Sequence, residues 1–139
     1  MNPTPNLQIG VDIMDHEHQL EFKLLDALNI LVERKDRSQA VTAAGQLLDY
    51  IQTHFLSEEL LMRVHAFPQY SVHEFAHSKL ISEVSHFSES LKRGELNSET
   101  QLKIESLRTA LLNHILEMDA GMGRYLLEIE TAGKLSDRV

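Results

Sequence analysis

Apolar residues recur at intervals of three and four along almost the whole chain, in four long runs separated by short joints. The first run, about residues 15–36, turns Phe22, Leu25, Leu28 and Val32 to one side. The second, about 38–66, carries Val41, Ala44, Leu48, Ile51, Phe55 and Met62, and Pro68 in "FPQY" stops it. In the third, about 71–93, "SVHE" has the form of a capping box opening at Ser71. Leu80, Val84, Phe87 and Leu91 follow, and Gly94 ends the run. The fourth, about 98–132, passes through Leu107, Leu111, Ile115, Met118, Met122 and Ile129 towards Gly133. Strand-type alternation is absent. Four helices of comparable length with short joints predict antiparallel neighbours, hence an all-α, up-down-up-down four-helix bundle spanning residues 1–139 as a single domain.

Polar residues interrupt these apolar faces in a pattern. Positions four apart nearly eclipse on a helix, so His54 with Glu58 and His73 with His77 form two pairs, each on an inward face. His18 begins the inward stripe of the first helix, one turn before Phe22. His114 and Asp119 are five apart, about 140° around a regular helix, and flank the inward face through Ile115 and Met118. In an antiparallel hairpin, residues at one depth have numbers summing to about twice the turn's centre. With turns near residues 37 and 95, His18 falls level with the His54–Glu58 pair, and His73 and His77 fall level with His114 and Asp119. The middle turn at Pro68 matches more loosely, by about one helical turn. Five histidines and two carboxylates are thus expected in one layer of the core, where unpartnered imidazoles and carboxylates would each cost a few kcal/mol. Such a set needs a shared partner.

Composition narrows what that partner is. The 139 residues are 42% hydrophobic and 24% charged, suited to one packed domain. The formal charge of −8, with no basic stripe, disfavours nucleic acid and anionic lipid. There is no cysteine, which excludes thiolate zinc and iron–sulfur sites and leaves nitrogen and oxygen as metal donors. "MNPTPNLQIG" has neither a basic nor an apolar signal region, and no apolar run reaches membrane-spanning length. A soluble, cytoplasmic protein is expected, with no membrane partner and no protein partner readable from the chain.

Seven donors are too many for one tetrahedral zinc. Two octahedral ions bridged by both carboxylates and one solvent oxygen would keep six terminal positions for five histidines. One position is left over, as a site for a small exogenous ligand, and with iron the obvious candidate is dioxygen.

The blocks "IMDHEHQLEF", "YIQTHFLSEELLM", "FPQYSVHEFAH" and "LLNHILEMD" carry the spacings D-x-x-H, H-F-x-x-E-E, F-P-x4-H-x3-H and H-x4-D in order. With these the chain resembles the hemerythrins, in particular the single-domain bacterial ones. The resemblance implies a four-helix bundle with two iron ions, oxo- or hydroxo-bridged. It implies that His73, His77 and His114 cap one iron, that His18 and His54 hold the other, and that Glu58 and Asp119 bridge them. The open position, on the iron of His18 and His54, would receive dioxygen. Phe55, Leu61, Met62, Ile115 and Met118 are candidates for an apolar pocket that excludes water. His16 and His86 are expected at the surface, His65 in packing at the bundle end, and Glu59 and Glu74 outside the donor set. The chain departs from the family in lacking tryptophan and in carrying "HAFP" where glycine-tyrosine-proline is more usual.

Reversible oxygen storage, delivery or buffering is the leading expectation. Sensing of oxygen or redox state through a separate partner is the alternative, and Met1 and the C-terminal end are expected to bound a stand-alone domain without an output module. A di-iron oxidase or peroxidase ranks third. Oxidases of the ferritin-like type use more carboxylates, and a histidine-rich set stabilises high-valent iron less. The chain is therefore expected not to be an enzyme.

Overall fold

The computed structural model describes residues 7–137, with side chains through residue 132. Helix α1 is Asp12–Glu33, α2 is Arg37–Val64 and α3 is Tyr70–Lys92. The fourth rod is composite: α4 (Thr100–His114), a π turn (Ile115–Asp119) and α5 (Ala120–Asp137) follow without a break. Helix α1 packs on α2 and α4, and α3 on α2 and α4, which closes the ring of an antiparallel four-helix bundle. No described helix is long and apolar enough to cross a membrane.

The core has two unequal parts. The larger is aliphatic and includes Phe22, Leu25, Leu28, Ala44, Leu47, Ile51, Phe55, Leu91, Ile104 and Leu111, all at or below 2% exposed. The smaller is a cluster of Met14, Met62 and Met122 near the α2–α3 joint. Arg108 pins the fourth rod to α1, with its guanidinium 2.6 Å from Asp26 and over the ring of Phe22. Leu47 lies in the core while Leu48 is only half-buried, one position from where periodicity alone points.

The first three helices end alike. After α3, Gly94 has φ of 89° and its N–H donates to the Leu91 carbonyl while that of Glu95 donates to Ser90, which satisfies the last carbonyls. Lys35 and Ala66 take the same left-handed place after α1 and α2, with φ of 55° and 51°. Ala66 is the alanine of "HAFP". A side chain in this region costs about 1 kcal/mol, which glycine there would avoid.

Helix starts differ from expectation. Helix α1 begins three residues early because Asp15 accepts the Ile9 N–H at 2.7 Å and holds the entering chain. The capping box at Ser71 does not form. Phe67–Tyr70 already makes a turn, the His73 N–H bonds the Gln69 carbonyl, and Ser71 sits exposed inside the helix. Glu74 instead accepts from the Tyr70 hydroxyl at 2.6 Å. At the other end Asn97 takes the Glu99 N–H at 2.9 Å, so the fourth rod begins at Thr100. It runs past Gly133 to Asp137.

Candidate metal centre

Along α2 and α3 the pairs His54–Glu58 and His73–His77 are each four apart, and all four side chains are buried. On the fourth rod, the π turn does for a spacing of five what an α-helix does for four. Its hydrogen bonds run i→i+5, as from the Ala120 N–H to the Ile115 carbonyl, and residues five apart come onto one face. His114 and Asp119 therefore both point inward, and their Nε2 and Oδ1 atoms lie 3.0 Å apart. The 140° separation expected of a regular helix does not arise.

The seven residues meet between all four rods. Glu58 Oε1 faces His77 Nε2 at 2.9 Å and His73 Nε2 at 3.5 Å, whereas its Oε2 faces His54 Nε2 at 2.8 Å and His18 Nε2 at 3.6 Å. Asp119 divides its oxygens in the same sense, Oδ1 to His73 at 2.8 Å and Oδ2 to His18 at 2.9 Å. The result is two donor sets that share both carboxylates: His73, His77 and His114 on one side, His18 and His54 on the other. Within each set the donor atoms lie inside 4.8 Å of one another.

These short N···O approaches are not hydrogen bonds. Among the described residues, eleven buried side-chain nitrogen and oxygen atoms lack a partner. Nine of them are the five Nε2 atoms and both oxygens of Glu58 and Asp119. Lone pairs directed at common points instead of at each other are what a pair of cations would satisfy, and imidazole with carboxylate suits first-row metals such as iron. The residues present fit a two-metal group. The remaining two orphans, His18 Nδ1 and Glu21 Oε1, lie on a single turn of α1.

The rings are held from behind. His77 Nδ1 is 2.8 Å from Glu59 Oε2, and His54 Nδ1 bonds Glu17 Oε2, so each Nε2 lone pair is left to face inward. Phe55 stacks flat on His77, centroids 3.8 Å apart and planes 6° from parallel. The chain's own electrostatics favour protons in this layer. Burial alone would push His18, His54 and His73 down, but the adjoining carboxylates carry them up to about 9, 10 and 9. Burial likewise opposes ionisation of Glu58 and Asp119, and the imidazoles beside them hold both well below the usual carboxylate range.

Of the expected pocket residues, Phe55 and Ile115 are buried beside the layer, and Met62 joins Met14 and Met122 one turn beyond Glu58, His18 and Asp119. Leu61 is half-buried, and Met118 lines a cleft of about 200 Å³ with Phe67 that reaches His73. His16 and His86 are exposed, and the His65 carbonyl accepts from the Tyr125 hydroxyl at 2.7 Å at the bundle end. Glu59 is outside the seven yet supports His77. Sequence reasoning passed over Glu17 and Glu21 as well. For Glu21 a signal existed, since it stands three after His18 and four before Leu25 on the inward stripe of α1.

Fold and site together define a four-helix bundle protein with two nitrogen–oxygen donor sets in its core that could hold metal ions. The profile of the Hemerythrin HHE cation binding domain matches residues 9–126, and the chain belongs to that family. It is 28% identical over 114 residues to the bacteriohemerythrin of Stenotrophomonas maltophilia, covering 79% of this chain and 71% of that one. To the bacteriohemerythrin of Aquifex aeolicus it is 27% identical over 128 residues, 91% and 97% of the two chains. A crystal structure of wild-type hemerythrin superposes with a TM-score of 0.81 at 26% identity, covering 91% of this chain and 97% of that one.

Proposed function

We propose that this chain is a non-heme di-iron protein that binds dioxygen reversibly, acting as one cytoplasmic domain in oxygen storage, delivery or buffering. His73, His77 and His114 hold one iron, His18 and His54 the second, and Glu58 and Asp119 bridge them. The observation that carries this reading is the unequal pair of donor sets sharing both carboxylates. Three histidines would hold one ion and two the other, so the second set offers one protein donor fewer. Bound iron supplies the electrons and the Lewis acidity that dioxygen binding requires.

The chain's residues supply the rest. Glu59 and Glu17 hold protons at Nδ1 of His77 and His54 and so present Nε2 to the metals. Phe55, Ile115 and the methionine cluster keep bulk water from the layer, which disfavours irreversible oxidation. Binding is favoured over catalysis because the shared set has two carboxylates and five neutral donors. The deciding experiment counts iron per chain after aerobic purification and follows the visible charge-transfer band through cycles of reduction and oxygenation. Two irons with a reversible band support the proposal. One zinc, or no metal, refutes it, and rapid irreversible oxidation shifts the function to sensing or turnover.

A further inference from the structure

Among the described residues, Glu21 is the one acid of the core that this function does not use. It is 1% exposed, its Oε1 has no hydrogen-bond partner, and it follows His18 by three on the same face of α1. A buried, unpartnered carboxylate is expensive, and a core with no use for it would hold leucine there.

Its surroundings say where it faces. Among the charges that act on it, His54 is foremost, then His18, Glu58 and Asp119. Those first two rings stand edge to face with centroids 5.0 Å apart, and Glu21 is thus a neighbour of the side of the centre with two histidines. It is not a donor in either compact set, and it makes no ion pair within 4.0 Å with His18 or His54. Glu21 therefore lies beside the His18–His54 set without belonging to it. In the metal-free chain burial pushes its carboxyl up to about 8. Cations in the layer would act in the opposite direction and ionise it.

We propose that Glu21 is a specificity-determining residue, an anionic guard over the open position of the His18–His54 metal that admits a neutral diatomic ligand and disfavours small anions. The inference rests on the di-iron reading and deepens it. Like charge at a few ångströms in a dry core is strongly unfavourable, whereas a neutral molecule meets only the bulk of the carboxylate.

The test uses the full chain loaded with iron and oxidised in air. Iron is counted first, and azide is then titrated while its charge-transfer band is followed. Glu21→Gln keeps the shape and removes the charge, and Glu21→Leu removes the polar group altogether. Both are expected to bind azide at least tenfold more tightly than the parent, with iron content unchanged. Equal affinity at two irons per chain would overturn the inference, as would weaker binding in the variants, which would make Glu21 an attractor of ligands. Fewer than two irons in the parent would overturn the di-iron reading and this inference with it.

Discussion

The two sides of the metal layer are built from the same residue types and differ in how firmly they are held. On the side of α3 and the fourth rod, three histidines converge, His77 has Phe55 on its face and the nearly buried Glu59 at its Nδ1 edge, and no described acid is left over. On the α1–α2 side, two histidines converge, the carboxylate behind His54 is more exposed, with the Glu17 side chain 28% accessible, and both leftover orphans of the core gather there. One side is fuller and braced; the other has one histidine fewer and an unpartnered carboxylate beside it. Under the proposed function the first would fix one ion and the second would hold an ion that can change partners.

The harshest way to break that comparison is to remove what the sides share. Glu58 gives one oxygen to each, so Glu58→Gln should lower metal content from two ions to at most one per chain, read by metal analysis after dialysis. Unchanged content would contradict a bridging role. Next come the braces. Glu59→Gln should weaken metal retention against a chelator by 10- to 100-fold, in keeping with loss of a carboxylate behind a ligating histidine, and Glu17→Gln by less, because water reaches Glu17 already. A larger effect at Glu17 would reverse the assignment of rigid and open sides.

Acidity tests both sides at once. His18, His54 and His73 sit at about 9 to 10 in the metal-free chain, so a metal must displace their protons, and apparent affinity for a divalent ion should rise with pH up to about 10 and then level. The sign is opposite for the fold without metal. Raised histidines stabilise it fully below 6.5 and lose that contribution as pH climbs through 9 to 10, whereas the lowered Glu58 and Asp119 stabilise it above the ordinary carboxylate range and lose it in acid. The raised Glu21 also loses its contribution as pH climbs from the ordinary carboxylate range towards 8, so thermal midpoints of the metal-free chain should peak at about pH 5.

The smallest effect is expected from the largest change in sequence. Deleting exposed Leu116 turns H-x4-D into H-x3-D, the spacing that His54 and Glu58 already use on a regular helix. The π turn should relax into α-helix with His114 and Asp119 still inward, metal content held, and the melting point unchanged or slightly raised.

Why that spacing was hard to read lies in the rule used to read it. A rotation of 100° per residue is right for α2 and α3, where the donor pairs stand out against apolar neighbours, and it fails for five residues whose hydrogen bonds skip one more position. The bundle, its order of helices and the inward residues other than Asp119 were legible because each follows from helical periodicity. The start of α3 was not, because a turn at Phe67–Tyr70 pre-empts the cap that "SVHE" spells. Glu17 and Glu59 sit at the margin of their inward faces, where periodicity does not separate inside from outside. Their role emerges only when the His54 and His77 rings arrive from a neighbouring turn or helix.

Donors in one layer come from all four rods, with consequences for the life of the protein in a cell. Metal ions held there would act as staples across the bundle, joining segments about a hundred residues apart in the chain, from His18 to Asp119. Binding of this kind adds its free energy to that of folding. A newly made copy that found no metal would keep the charge pairs of the layer but lack the staple, and would unfold more often and be exposed to proteolysis. Abundance would then follow iron supply with no dedicated regulator, scarcity being felt first as shortened lifetime.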